Sequence, residues 1–129
     1  MKEKEVPKII KDVGFDFWWD EANVWKLKYP AEDMDIIELE WHFDIPFWNS
    51  EKGRYDLKPM DVLKYPEKYK KEYRRTMATN LDYPLDIMIN KGRWLLLDGL
   101  HRLLKAKIQG LHIVNVRKIP RSEIKNIKK

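Results

Sequence analysis

Between Pro84 and Pro120 the hydrophobic period of the chain switches from that of a strand to that of a helix and back. No other feature constrains the fold as strongly. Leu85, Ile87 and Ile89 alternate with Asp86 and Met88, which predicts a half-buried strand. Asn90-Lys91-Gly92 reads as a hairpin turn, with Gly92 free to take positive φ. "RWLLLD" returns as a second, more deeply buried strand. Leu100, Leu103, Leu104, Ile108 and Leu111 then share one helical face, and Gly110 is placed to close that helix. "HIVNVRKI" is a third strand with Val114 and Val116 on one face. The order strand, hairpin, strand, helix, strand predicts an α/β (α+β) fold with a mixed sheet. Its last three elements can form a right-handed crossover joining parallel neighbours.

Upstream the pattern is weaker. "VWKLKYP" alternates Trp25, Leu27 and Tyr29 against Lys26 and Lys28, which predicts a strand stopped by Pro30. Ile37, Leu39, Trp41 and Phe43 alternate like a strand, but Ile36, Ile37 and Glu40 also fit a short helix. Pro59 and Pro66 read as first-turn prolines of two helices, one short and one over 66–79. Tyr69, Tyr73 and Met77 make the buried stripe of the second, and Asn80 suits its C-terminal cap.

The 129 residues suit a single domain, with loosely ordered basic ends at about 1–12 and 121–129. There is no cysteine, which excludes disulfides, thiolate metal sites and thiol nucleophiles. No apolar run reaches a membrane span, and "MKEKEVPKII" lacks the apolar segment of a signal peptide. A cytoplasmic protein without a membrane partner is expected. The net charge of +5 permits phosphate or nucleic-acid partners, though an ordinary solvated surface explains it equally well.

The chemistry concentrates where the second strand becomes the helix, at Asp98-Gly99-Leu100-His101-Arg102. A helix N-terminus carries unpaired N–H groups and partial positive charge, and it attracts phosphates. Gly99 lets a ligand approach the backbone, and Arg102 supplies a planar donor fork that matches phosphate oxygens. His101 can donate or carry a proton, and Asp98 can orient a hydroxyl, hold magnesium or act as a base. The same spacing also allows a plain turn, in which Asp98 caps the helix and pairs with Arg102.

"LLLDGLHRLLKAKIQGLHIVNVRKI" resembles the box of the ParB/sulfiredoxin superfamily: a hydrophobic strand, Asp-Gly-X-His-Arg, a helix and a Val-rich strand. The likeness runs from about Pro84 to Pro120, and Asp98, Gly99, His101 and Arg102 match residue by residue. It implies a ParB/sulfiredoxin-like sheet and a nucleotide-phosphate site at Gly99, Leu100, His101 and Arg102. ATP, ADP or CTP with Mg2+ would be the ligand, and a phosphotransferase or NTPase the activity. Sulfiredoxins carry their reactive cysteine at X, where this chain has Leu100, so that chemistry is excluded. Partition proteins continue into a helix-turn-helix domain, and only nine residues follow Pro120 here, so plasmid partition is not expected. The serine kinase of the superfamily resembles the box best. It also implies an acidic catalytic residue from the N-terminal half, for which Glu38, Glu40 and Asp44 are candidates.

As a strand, "ELEWHFDIPFW" would put Glu38, Glu40, His42 and Asp44 on one face, able to bind an ion or amine or simply to meet solvent. With Asp98 and His101, Glu40 is the expected catalytic acid. The three histidines lack zinc spacing, so no zinc is expected. The alternative function is nucleic-acid binding through Lys70, Lys71, Arg74 and Arg75, interleaved with tyrosines. A non-catalytic interaction domain is a further alternative. Trp18, Trp19, Trp25, Trp41 and Trp48 could line a pocket but are read as core or lid, and exposed aromatics would favour a homodimer.

Overall fold

A computed structural model describes residues 7–14 and 18–129. The β2 strand (Leu85–Asn90) and β3 (Arg93–Asp98) form the expected hairpin. Lys91 and Gly92 both have positive φ, 52° and 79°, as a type I′ turn requires. The α5 helix (Leu100–Ile108) follows, then β4 (Ile113–Lys118). Gly110, at φ 75°, ends α5 in a Schellman motif: Gly110 N–H donates to Lys107 O and Leu111 N–H to Ala106 O, both at 3.0 Å.

A fourth strand, β1 (Ala31–Asp35), completes a mixed sheet in the order β1-β4-β2-β3. The fold is α/β, with helices on both faces. Here β4 runs parallel to β2 and antiparallel to β1. The expected crossover between parallel neighbours is therefore corrected: β3 and β4 are not adjacent, and β2 lies between them. The tight hairpin takes one side of β2, so β4 can pair only on its other side. One face packs on α3 (Pro59–Lys64), α4 (Lys70–Met77) and α5 through Leu85, Ile87, Leu103, Leu104, Val114 and Val116. The other meets α2 (Glu21–Trp25) and α6 (Ile124–Ile127) through Met88, Leu97, Val24, Ile119 and Ile127. Met88 is core on the second face. Among the described residues no helix is long and apolar enough to cross a membrane.

The upstream expectations change more. No strand forms over 25–29. Asp20 caps α2 by accepting from Ala22 N–H at 2.9 Å, and helix replaces alternation. The carbonyls of Val24 and Leu27 go to the Arg117 guanidinium instead of a ladder. Residues 36–44 form two 3-10 turns, Ile36–Glu38 and Glu40–Asp44, the first started by the Asp35 side chain on Ile37 N–H at 3.0 Å. Pro59 opens α3 as expected, whereas α4 begins at Lys70, after a turn over the Pro66 segment. Its inward side is Tyr69, Tyr73 and fully buried Thr76, and Ala78 rather than Asn80 caps its end.

The C-terminal segment, expected to be loose, is docked. Arg121–Glu123 and α6 pack on the sheet, Ile127 is fully buried, and Tyr29 Oη donates to Glu123. Ile127 and Ile124 on the second core, with the backbone bonds Asp20 N–H to Ile127 O and Lys129 N–H to Trp18 O, outweigh the basic composition around them. At the other end α1 (Lys8–Val13) buries Ile10 and Val13, while residues 1–6 and 15–17 lie outside the described residues.

Candidate functional site

Gly99 begins α5 at φ 113°, and among the described residues no side chain caps the helix. Asp98 is therefore not the cap that its position allows. A Cβ on Gly99 would stand 2.6 Å from Leu85 Cδ2 and 3.0 Å from an Arg102 guanidinium nitrogen. Glycine is needed here for both backbone and space. Asp98 Oδ2 accepts from Arg102 at 2.9 Å and from exposed Trp25 Nε1 at 2.7 Å. Arg102 also donates to Pro84 O at 3.1 Å, so its fork is held at both ends. The local Asp98–Arg102 pair is thus real, and it leaves the start of α5 open.

His101 turns toward α4. Its Nε2 lies 2.9 Å from Glu72 Oε2, and its ring stacks on Trp48 with centroids 4.4 Å apart and planes 14° off parallel. Glu72 is mostly buried and bonds Arg75 through its other oxygen at 3.2 Å. Asp98, Gly99, Leu100, His101 and Arg102 all open onto one cleft of about 650 Å³. Trp18, Trp19, Phe47, Trp48 and Tyr55 supply much of the remaining lining, and Lys11 and Glu21 add charge. The volume and the mix of aromatic walls with a few polar groups suit a small organic ligand.

Glu40 stays outside the cleft lining. It pairs with Lys107 on α5 at 2.6 Å. Glu38 and Asp44 are exposed, and His42 is buried. The proposed common face of Glu38, Glu40, His42 and Asp44 does not exist, because the 3-10 turns point His42 into the core and leave Glu38 and Asp44 exposed. His42 has a structural task at the free edge of β3. Its Nδ1–H donates to Leu39 O at 2.8 Å, and its Nε2 accepts from Leu96 N–H at 3.0 Å. Burial, aided by Arg93 and opposed by the Leu39 bond, pushes its pKa down to about 4. Trp41 Nε1 donates to Trp94 O at 3.2 Å and Trp19 Nε1 to Leu97 O at 2.8 Å. Three side chains thus occupy backbone groups of a strand that would otherwise be open. The tryptophans are not uniformly core or lid: Trp18, Trp19 and Trp48 line the cleft, and Trp25 holds Asp98.

Behind the site, buried Asp86 lies opposite Asp98 in the hairpin and bonds Arg117 Nε at 2.6 Å. Burial raises the Asp86 pKa, against the pull of Arg117. Among the described residues no three His, Asp or Glu side chains gather as a metal-ligand set. Lys70, Lys71, Arg74 and Arg75 are all exposed on α4, while Tyr69 and Tyr73 are partly buried against the core. Among the side chains in contact with Asp98 and His101, Glu72 is the one that the sequence reading does not name. The one available signal was Glu72 itself, a lone acid within "KYKKEYRRT". No protein-family model, curated protein or solved structure matches the chain.

Proposed function

We propose that this chain is a small ParB/sulfiredoxin-like domain that binds a nucleotide through its phosphates at Asp98–Arg102 and transfers or hydrolyses a phosphoryl group. One observation carries the reading: all five residues of the box open onto the same aromatic-lined cleft, at the uncapped start of a nine-residue helix. Phosphate oxygens meet the first-turn N–H groups of α5, where Gly99 keeps a Cβ out of the way. Arg102, fixed by Asp98 and Pro84 O, presents the rest of its donor fork without further ordering cost. The base lies against the tryptophan walls. Asp98 Oδ2 is occupied, but among the described residues Oδ1 has no partner, and one carboxylate oxygen beside phosphate oxygens is how Mg2+ is commonly held. The ion would neutralise phosphate charge during transfer. His101 is the proton acceptor of this site. Glu40 has no part in it. ATP, ADP and CTP are the ligands to test, and a cytoplasmic location fits them.

Calorimetric titration with ATP, ADP and CTP, with and without magnesium, tests the reading. Arg102→Ala is expected to weaken binding by at least about tenfold, the equivalent of about 1.4 kcal/mol for a lost charged contact. Arg102→Lys keeps the charge, loses the fork and should fall between the two. Unchanged affinity in variants that still unfold cooperatively would overturn the assignment.

The exposed cations of α4 support a second reading, electrostatic binding of nucleic acid. It requires affinity that falls steeply with salt and disappears when Lys70, Lys71, Arg74 and Arg75 are replaced by Glu. If neither ligand class binds, a non-catalytic interaction domain is the remaining reading.

A further inference from the structure

Glu72 lies on a different element from the box, is mostly buried, and does not line the cleft. It would be an ordinary helix–helix ion pair if its partner were not His101. A carboxylate only accepts hydrogen bonds, so the 2.9 Å contact fixes the imidazole proton on Nε2. When the ring is neutral, its lone pair is then on Nδ1. Among the described residues Nδ1 has no partner, while His101 lines the cleft.

Two further contacts hold this arrangement. Trp48 stacks on the imidazole and limits rotation of the ring. Trp48 is itself anchored to Leu57, a buried core residue, by paired backbone bonds of 3.1 and 3.0 Å. Arg75 bonds the second Glu72 oxygen and keeps the carboxylate from turning away. The two other histidines make useful contrasts. Both nitrogens of buried His42 are bonded, whereas His112 is exposed.

We propose that Glu72 is the positioning residue of the site: it holds His101 with its proton on Nε2, so that Nδ1 faces the cleft as a proton acceptor. Used as the proposed function requires, Nδ1 takes the proton of an acceptor hydroxyl or water. That oxygen bonds to the terminal phosphorus, and the bond from phosphorus to the bridging oxygen breaks, releasing the shortened nucleotide. Only this last use rests on the nucleotide reading. The dyad can be tested without it.

Two measurements on the full chain decide the matter. Diethyl pyrocarbonate acylates unprotonated, accessible imidazole nitrogens, and the modified residues can be mapped by mass spectrometry. His101 and His112 are expected to react while His42 is spared. Proton NMR should show a downfield, slowly exchanging Nε2 proton on His101. That signal should be lost in Glu72→Ala and kept in Glu72→Gln, whose amide oxygen can accept the same bond. A His101 that resists the reagent overturns the proposal. So does a protected Nε2 proton that survives in Glu72→Ala, or one absent from the unsubstituted protein. Repeating the modification with ATP, ADP or CTP present separates the two ideas. Protection of His101 supports both. Modification unaffected by any nucleotide counts against the nucleotide reading and leaves the dyad supported.

Discussion

Residues 85–118 and residues 18–57 satisfy their backbones in opposite ways. The first region pairs backbone with backbone. Its hairpin, its parallel ladder and the Schellman end of α5 need few side chains to close them. The second has one five-residue strand, the five-residue helix α2 and otherwise turns and loops, and it reaches across the molecule with side chains. Trp19, Trp41 and His42 bond the free edge of β3 over separations of 78, 53 and 54 residues. Trp25 reaches Asp98 over 73. The regular region supplies the box, and the irregular one supplies the aromatic wall that makes it a cleft. An open sheet edge invites pairing with other chains, so closing it with aromatic side chains serves stability as well as the site.

The largest test of that contrast is Arg117→Ala. Beyond the β1–β4 ladder, Arg117 of the first region ties the second through Leu27 O and Val24 O while it pairs with Asp86 of its own region. Removing it strands a buried carboxylate, and a loss of about 3–5 kcal/mol in denaturant unfolding is expected. A loss under about 1 kcal/mol, the range of exposed pairs, would mean that the regions are joined mainly by packing and the β1–β4 ladder. Gly99→Ala tests the regular region alone. The new Cβ meets Leu85 and Arg102 at positive φ, so roughly 2–4 kcal/mol should be lost. A smaller change would show that the hairpin gives way.

The third test is pH. His42 has a folded pKa of about 4 against an ordinary 6.5. Above 6.5 both states are neutral and the group adds no pH dependence. As pH falls from 6.5 towards 4 the unfolded chain takes up the proton first, so stability is lost across that window. The loss amounts to about 2–3 kcal/mol by pH 4.5. His42→Leu should be less stable at neutral pH, because Leu96 N–H loses its acceptor, yet it should show little of this slope. Equal slopes in both proteins would assign the acid sensitivity elsewhere, with the carboxylates.

Legibility followed the same division. The hairpin, α5, its glycine stop and the paired Val114 and Val116 were all readable, because each depends on residues a few positions apart. The alternation in 25–29 misled because three residues cannot specify a ladder when a capping Asp20 and a guanidinium claim the same backbone. Glu40 was a reasonable acid by composition, but a 3-10 turn sent it to Lys107. The acid that meets His101 comes from the most basic helix of the chain, 29 residues away.

By itself the sequence determined the strand–turn–strand–helix–strand unit and the residue types at its junction, since turns, caps and periodicity act over short spans and are written in adjacent letters. The tertiary structure decided the strand order, the closure of the β3 edge and the partners of Asp98 and His101. Those follow from which surfaces bury the most apolar area together, and no local pattern encodes that sum.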